Sequence, residues 1–268
     1  MPRLFIFGLG YTATRVARAL PPDWEWIATG SRGSLAFDDE EAVRRALASS
    51  DAVLSSVPPG RGDPVLDRYG DTLGGRLVYL SSTGVYGDAG GAWVDEHSPT
   101  GGGRRKARAQ ADAAWLERGA WVLRLPGIYG PGRSAFDRLA SGRAHLVDAP
   151  GQVFSRAHVA DIASAAIRAL VGDSVAGAYN IADDLPTSQN VVIEAAARMA
   201  GLPVPPMIGL DDPSFSEMAR GFYTENRRIA NGKAKRVLGW RPAYPTWREG
   251  LAACATESGG RTRALSAA

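Results

Sequence analysis

The residues able to do chemistry fall in separate stretches. In "FIFGLGYTATRVARAL" (5–20), Gly8-x-Gly10-x-x-Ala13 stands between an apolar run and a helical pattern. Gly8 permits a tight turn, Gly10 lets the backbone approach a pyrophosphate, and Ala13 is small enough for a helix to pack on a sheet. The first helical turn, at Tyr11, Thr12 and Ala13, offers free N–H groups to the anion. A dinucleotide is the implied ligand. In "EWIATGSR" (25–32) the second apolar run ends in Ser31 and Arg32, with no carboxylate. A carboxylate there would bond the 2′-hydroxyl of NAD, whereas an arginine forks onto a 2′-phosphate, so NADP is favoured over NAD. A further stretch, "SPTGGGRRKARAQADAAW" (98–115), runs from glycines into a helix start carrying Arg104, Arg105, Lys106 and Arg108. It reads equally as an active site, an altered one or a solvated helix start.

The bulk properties narrow the class. The chain has 268 residues, 45% of them hydrophobic and 22% charged, with a formal net charge of +3. That length buries a substantial core and lies near the upper limit for one. No apolar run approaches the roughly 20 residues of a membrane span. "MPRLFIFGLG" has too short an apolar run for a secretory signal. Cys254 is the single cysteine, which excludes an intrachain disulfide and a cysteine-based metal cluster. A cytoplasmic protein with no metal is expected. The arginine cluster lacks interleaved aromatics, so neither nucleic acid nor membrane is an expected partner, and a small-molecule substrate is.

Continuous apolar runs at 3–8, 25–29, 52–57, 76–82 and 120–125 suit strands buried on both faces. A short strand "LAF" (35–37) is expected between the second and fourth. Helical spacing occupies 12–20, 39–48 and 105–117, then 159–171 and 187–200, with a late strand at 177–182. The fold class is α/β: a Rossmann-type doubly wound parallel sheet with a small C-terminal substrate lobe. Residues 1–125 and 152–182 are expected to form the nucleotide-binding domain and 126–151 with 183–256 the lobe. Residues 257–268 have the composition of a disordered tail.

"YLSSTGVYG" (79–87), "LRLPGIYGPGR" (123–133), "HVADIASAAIRAL" (158–170), "GAYNIADD" (177–184) and "KAKRVLGWRPAYPTWREGL" (233–251) follow one another in an informative order. Together they resemble the extended short-chain dehydrogenase/reductase family, the NAD(P)-dependent epimerases and dehydratases. The nearest likeness is to short, atypical members sharing "GLGYT" and "SSTGVYG". The resemblance implies a nicotinamide cofactor contacted by Ser81 and Pro126, by Val57 and Pro58 of "SSVPPG" (55–60), and by Asp38 at the adenine. It also implies that Ser82 polarises a substrate oxygen, and that His158 is structural.

In that family a Tyr four residues before a Lys exchanges the proton. With Asp112 as the acidic residue of the helix, Arg108 takes the lysine position and Arg104 the tyrosine position. Registered instead on Lys106, the tyrosine position becomes Gly102. Neither register supplies a tyrosine, and a guanidinium is no proton donor near neutral pH. Tyr86 is the leading substitute, with Tyr129 and His97 behind it. Arg133, Arg156, Arg227 and Arg228 fall in segments that form the substrate cleft in relatives, and Arg133 and Arg156 are the expected anion contacts. Arg156 does not stand at the offset used for sugar nucleotides. Two functions stay open: hydride transfer on a carbonyl or nucleotide-sugar substrate, or an NADP-binding sensor or scaffold without chemistry. The family also implies a homodimer.

Overall fold

A computed structural model describes residues 1–104, 106–213 and 215–265. Six parallel strands form one sheet: Gly177–Asn180, Trp121–Leu125, Arg76–Ser82, Ala52–Ser55, Arg3–Phe7 and Glu25–Ala28, in that spatial order. The chain therefore starts near one edge, moves inward past its first strand and adds its last strand at the far edge. That reversal of direction is the Rossmann arrangement and opens a crevice at the carboxyl ends of the strands.

The apolar runs are continuous because the sheet is covered on both faces. Leu4 and Ile6 of the first strand join one core with Val78, Leu80 and Leu123. Phe5 and Phe7, of opposite parity, join the other with Leu77, Tyr79 and Val122. The first core is closed by helices Tyr11–Ala19 and Val159–Val171, whose buried faces are largely alanine and valine and so allow close packing. The second includes Trp115 of helix Lys106–Glu117, stacked on Tyr79 at 5.2 Å between ring centroids. The Trp115 indole N–H donates to Asp63, whose other carboxylate oxygen caps helix Pro64–Tyr69.

The short strand expected at 35–37 does not form. Gly33 lies so close to the Ala28 carbonyl that no Cβ fits, and this turn folds the chain back on the end of the second strand. Only one bridge results, between Thr29 and Leu35. Helix Trp247–Leu265 likewise continues through 257–265, where an unstructured tail was expected; residues 266–268 and Arg105 lie outside the described residues. No helix of the described residues is long and apolar enough to cross a membrane.

Beyond the sheet, short parallel ladders join Gly127–Tyr129 to Arg156–His158, Leu146–Val147 to Met207–Ile208, and Trp93–Val94 to Arg228–Ile229. The last ties the loop after the fourth sheet strand to the C-terminal segment, a connection that spacing alone does not reveal. A separate cluster of Ala135, Val192, Ala196, Trp247 and Leu251 packs helices Ala135–Ala140, Gln189–Met199 and Trp247–Leu265 together.

His158 and Asp161 join these parts. The Asp161 carboxylate accepts from the N–H groups of Ala243 at 2.6 Å and Tyr244 at 3.1 Å, and the Trp240 indole donates to the Asp161 carbonyl. His158 accepts from the Ala160 N–H at 3.3 Å and so caps its helix, between the rings of Tyr129 and Tyr244. Burial, then the charge of Arg15, pushes its imidazole down to about 4. A folded-state value below the unfolded one means that the unfolded chain takes the proton first, so this residue's contribution is lost as pH falls. Between pH 6.5 and 4, wild type should lose about 3 kcal/mol of stability relative to His158→Asn, which keeps a cap and cannot titrate. Urea unfolding of both proteins across that range checks the difference.

Candidate active site

The glycine turn has the geometry of a phosphate cradle. Gly8 has φ +81°, and a Cβ there would stand 3.0 Å from a Val57 methyl, so the turn needs glycine on both counts. A Cβ on Gly10 would meet nothing within 4 Å, which is the approach a pyrophosphate requires. The Gly8 N–H donates to the Thr29 hydroxyl and the Leu9 N–H to the Thr29 carbonyl, fixing the turn to the end of the second strand. Thr29 went unnoticed in the sequence, where it reads as one more strand residue. Thr12 and Ala13 are buried, and the Tyr11 hydroxyl donates to the Pro131 carbonyl at 3.1 Å. The residues present therefore fit a dinucleotide pyrophosphate.

Around the adenosine end, Ser31 and Arg32 lie exposed on the turn after the second strand, and Arg32 makes no ion pair among the described residues. Pro58 is exposed, and Val57 packs on Gly8. The Asp38 side chain is engaged by Arg68, which also holds Glu40 at 3.0 Å.

At the other end, Ser82, Arg108, Pro126 and Phe154 line one cleft that continues into a cavity of about 540 Å³. The Ser82 oxygen accepts from the Gly84 N–H at 3.1 Å, which leaves its proton free to point at a substrate oxygen. Arg108 stands on the cleft face of its helix. Its guanidinium also acts on the buried Tyr79 hydroxyl, which burial pushes up and Arg108 partly brings back down.

The basic loop before that helix is held from the C-terminal side. The Glu225 carboxylate accepts from the Arg104 N–H at 2.8 Å and pairs with Arg227 at 2.9 Å, and all three residues line the cleft. Arg227 also donates to the Gly87 carbonyl at 2.5 Å. A Cβ on Gly103 would collide with the Gly84 carbonyl, so loop and strand exit touch backbone to backbone. Arg228 lies apart, donating to the Gly91 carbonyl. His97 is exposed beside Asp95, away from the cleft-lining residues.

Tyr86 does not line the cleft, which corrects the expectation that it replaces the missing tyrosine. It is 6% exposed, and its hydroxyl donates to the Asn180 side-chain oxygen at 2.8 Å while accepting from Arg124 at 2.9 Å. Burial raises it, against the opposing charge of Arg124. The Ser81 hydroxyl likewise turns inward, donating to Asp112 at 2.6 Å, instead of toward the nucleotide side. Asp112 in turn forms a two-pronged ion pair with Arg124, at 2.7 and 3.1 Å, both residues almost wholly buried. Burial pulls the Arg124 guanidinium down, but the Asp112 carboxylate outweighs it and holds it above its usual value. Arg124 did signal itself in the sequence, as a charge inside an otherwise apolar strand.

The cavity wall is strongly cationic. Arg108, Arg133, Arg138, Arg143 and Arg156 line it, and among the described residues none of its lining is Asp or Glu. Arg133 also lies over the Tyr11 ring, linking the cavity to the glycine turn. Arg156 is buried, and burial, opposed by Asp183, lowers it to about 10. Asp183, which the sequence gave no reason to single out, is pushed up to about 7 by burial, against Arg156.

No protein-family model matches the chain. The fold is that of the extended short-chain dehydrogenases/reductases, the NAD(P)-dependent epimerases and dehydratases. A human epimerase family protein solved with NADPH superposes with a TM-score of 0.74 at 15% identity, over 93% of this chain and 97% of that one. Other structures of this fold carry NAD. A functionally unknown conserved protein from Silicibacter pomeroyi is 37% identical over 96% of this chain and 99% of its own, with a TM-score of 0.84, and the two belong to one family. The 3-diazoavenalumate denitrifying reductase of a Streptomyces species is 27% identical over 90% of this chain and 76% of its own length.

Because the Tyr86 hydroxyl is committed inside the protein, Tyr86→Phe should lower stability by about 1–3 kcal/mol, the cost of leaving its partners unpaired. NADPH affinity should stay within about twofold, since the ring remains and the cleft is untouched. Chemical unfolding and titration calorimetry on the same variant read the two effects separately.

Proposed function

We propose that the chain binds NADP and carries out hydride transfer on a small anionic carbonyl or alcohol substrate, a nucleotide sugar included, held beside Ser82. The observation that carries this reading is that Ser82 and Arg108 line one cleft, continuous with a cationic cavity. The reductase and epimerase-family likenesses support it. The exposed Arg32, with no carboxylate at the strand end, supports NADP over NAD. The same reading has the protein work in the cytoplasm.

When bound, the nicotinamide supplies or accepts the hydride. Ser82 donates a hydrogen bond to the substrate oxygen and fixes its orientation. Arg108 bonds the ribose and keeps positive charge beside the oxygen as it becomes an alkoxide. A proton must also reach that oxygen during reduction. Tyr86 does not supply it, because its hydroxyl is taken up by Asn180 and Arg124. Water entering the cleft is the proton source, relayed through the Ser82 hydroxyl.

The missing Tyr-x-x-x-Lys pair favours a second reading, an NADP-binding sensor or scaffold without chemistry. Steady NADPH oxidation with any carbonyl substrate excludes the sensor, and tight binding with no turnover across a substrate panel excludes the enzyme. If the enzyme reading holds, Ser82→Ala should lower turnover by about 100-fold with little change in NADPH affinity. Arg32→Glu should weaken NADPH binding by at least about tenfold and NADH binding far less. Equal losses for both nucleotides would count against the NADP assignment.

A further inference from the structure

The protein uses only one nitrogen of the Arg227 guanidinium. Nη1 donates to the Gly87 carbonyl at 2.5 Å and to the Glu225 carboxylate at 2.9 Å. Nε and Nη2 make no hydrogen bond among the described residues, and neither is sealed from the cleft, which Arg227 lines together with Ser82 and Gly84. The bonded side is firmly placed. Glu225 also accepts from the Arg104 N–H, and the intervening Asn226 is tied to Asp88 at 2.7 Å and to the Val153 N–H at 3.3 Å. Two donors of a fixed cation are therefore presented to the cleft with nothing of the protein to bond.

Gly84 shows where they are presented. A Cβ there would stand 3.3 Å from the Ser82 hydroxyl oxygen and 4.0 Å from Arg227 Nη2, with no other atom beyond its chain neighbours within 4 Å. Gly84 does not have a positive φ, so its backbone conformation does not call for glycine. What the missing side chain leaves is open space flanked by two donors: the Ser82 hydroxyl, whose oxygen is already an acceptor for the Gly84 N–H, and Nη2.

Ser82 has one proton to give, and on the reading above it goes to the reacting oxygen of the substrate. Nη2 then meets an atom close to that oxygen. The Glu225 carboxylate balances the Arg227 charge, so the free side offers hydrogen bonds without an unpaired charge and suits a neutral acceptor. Because both donors border the same small space, their acceptors fit on adjacent carbons and not on carbons far apart. We propose that Arg227 is a substrate-binding residue that sets specificity for an oxygen beside the reacting one: Ser82 holds the carbonyl oxygen of an α-hydroxy ketone, and Arg227 Nη2 donates to its hydroxyl. The proposal rests on the reading above for the part played by Ser82.

The test is titration calorimetry of the full chain in excess NADP+, where no hydride can pass to a ketone, with 2-hydroxyacetophenone and with acetophenone, which lacks only the α-hydroxyl. The hydroxy ketone should bind at least about fivefold more tightly. Arg227→Lys keeps a cation for Glu225 and removes the unbonded nitrogens, and should bring the hydroxy ketone down to the affinity of acetophenone. Gly84→Ala leaves Ser82, Glu225 and Arg227 in place and puts a methyl group between the donors. It too should erase the preference, so the test stays decisive if Arg227→Lys is unstable. Equal affinities in the wild type, no binding of the hydroxy ketone, or a preference that survives in either variant overturns the proposal. Ser82→Ala separates the two readings, since it should weaken both ketones alike. If it alters neither while Arg227→Lys erases the preference, the reading of Ser82 fails and the anchor at Arg227 stands; if it weakens both while Arg227→Lys changes nothing, the anchor alone fails.

Discussion

The buried ion pair between Arg124 and Asp112 is the constraint on which the cleft depends. It joins a central strand to the helix beyond it, and Ser81, Tyr86 and Asn180 complete its hydrogen bonding. Such a pair adds little net stability over a well-packed apolar core, because desolvating both charges offsets most of their attraction. What it fixes is position. Asp112 lies one helical turn after Arg108, and Ser81 directly precedes Ser82, so the same pair sets where both cleft-lining groups stand. Asn180 extends the network to the last sheet strand and, through a hydrogen bond from its side chain to the Ala230 carbonyl, to the C-terminal segment.

The electrostatics divide along the crevice. At the glycine turn the protein presents backbone N–H groups and open space, and in the cavity arginine side chains. Between these, Glu225 is held by Arg104 and Arg227, so the carboxylate in the cleft is neutralised by the protein's own cations and does not repel an incoming anion.

Most of the fold was legible because the apolar runs obey a strict rule: strands covered on both faces have no polar side, and the helices between them keep their period. The exception at 35–37 failed for a local reason, since the tight packing of Gly33 on Ala28 leaves no length for a strand. The site was legible in part. The glycine turn and Ser82 carry their chemistry in short spacings that local structure preserves. Tyr86 misled because proximity along the chain does not say on which side of the strand exit a hydroxyl falls. Asn180 and Glu225 were invisible for a related reason: their partners are distant in sequence, and only the folded sheet brings them together.

The glycine run before the basic helix has a bearing on how this site could change over time. Gly103 is locked by its contact with the Gly84 carbonyl and Gly101 by φ +93°, but a Cβ on Gly102 would come no nearer than 3.8 Å to any neighbour, the Tyr86 carbonyl oxygen. Position 102 is one of the two places where the family pattern would put its tyrosine. The backbone there leaves room for a Cβ while both neighbours are held to glycine, so of the three glycines this is the position able to accept a side chain without moving the loop.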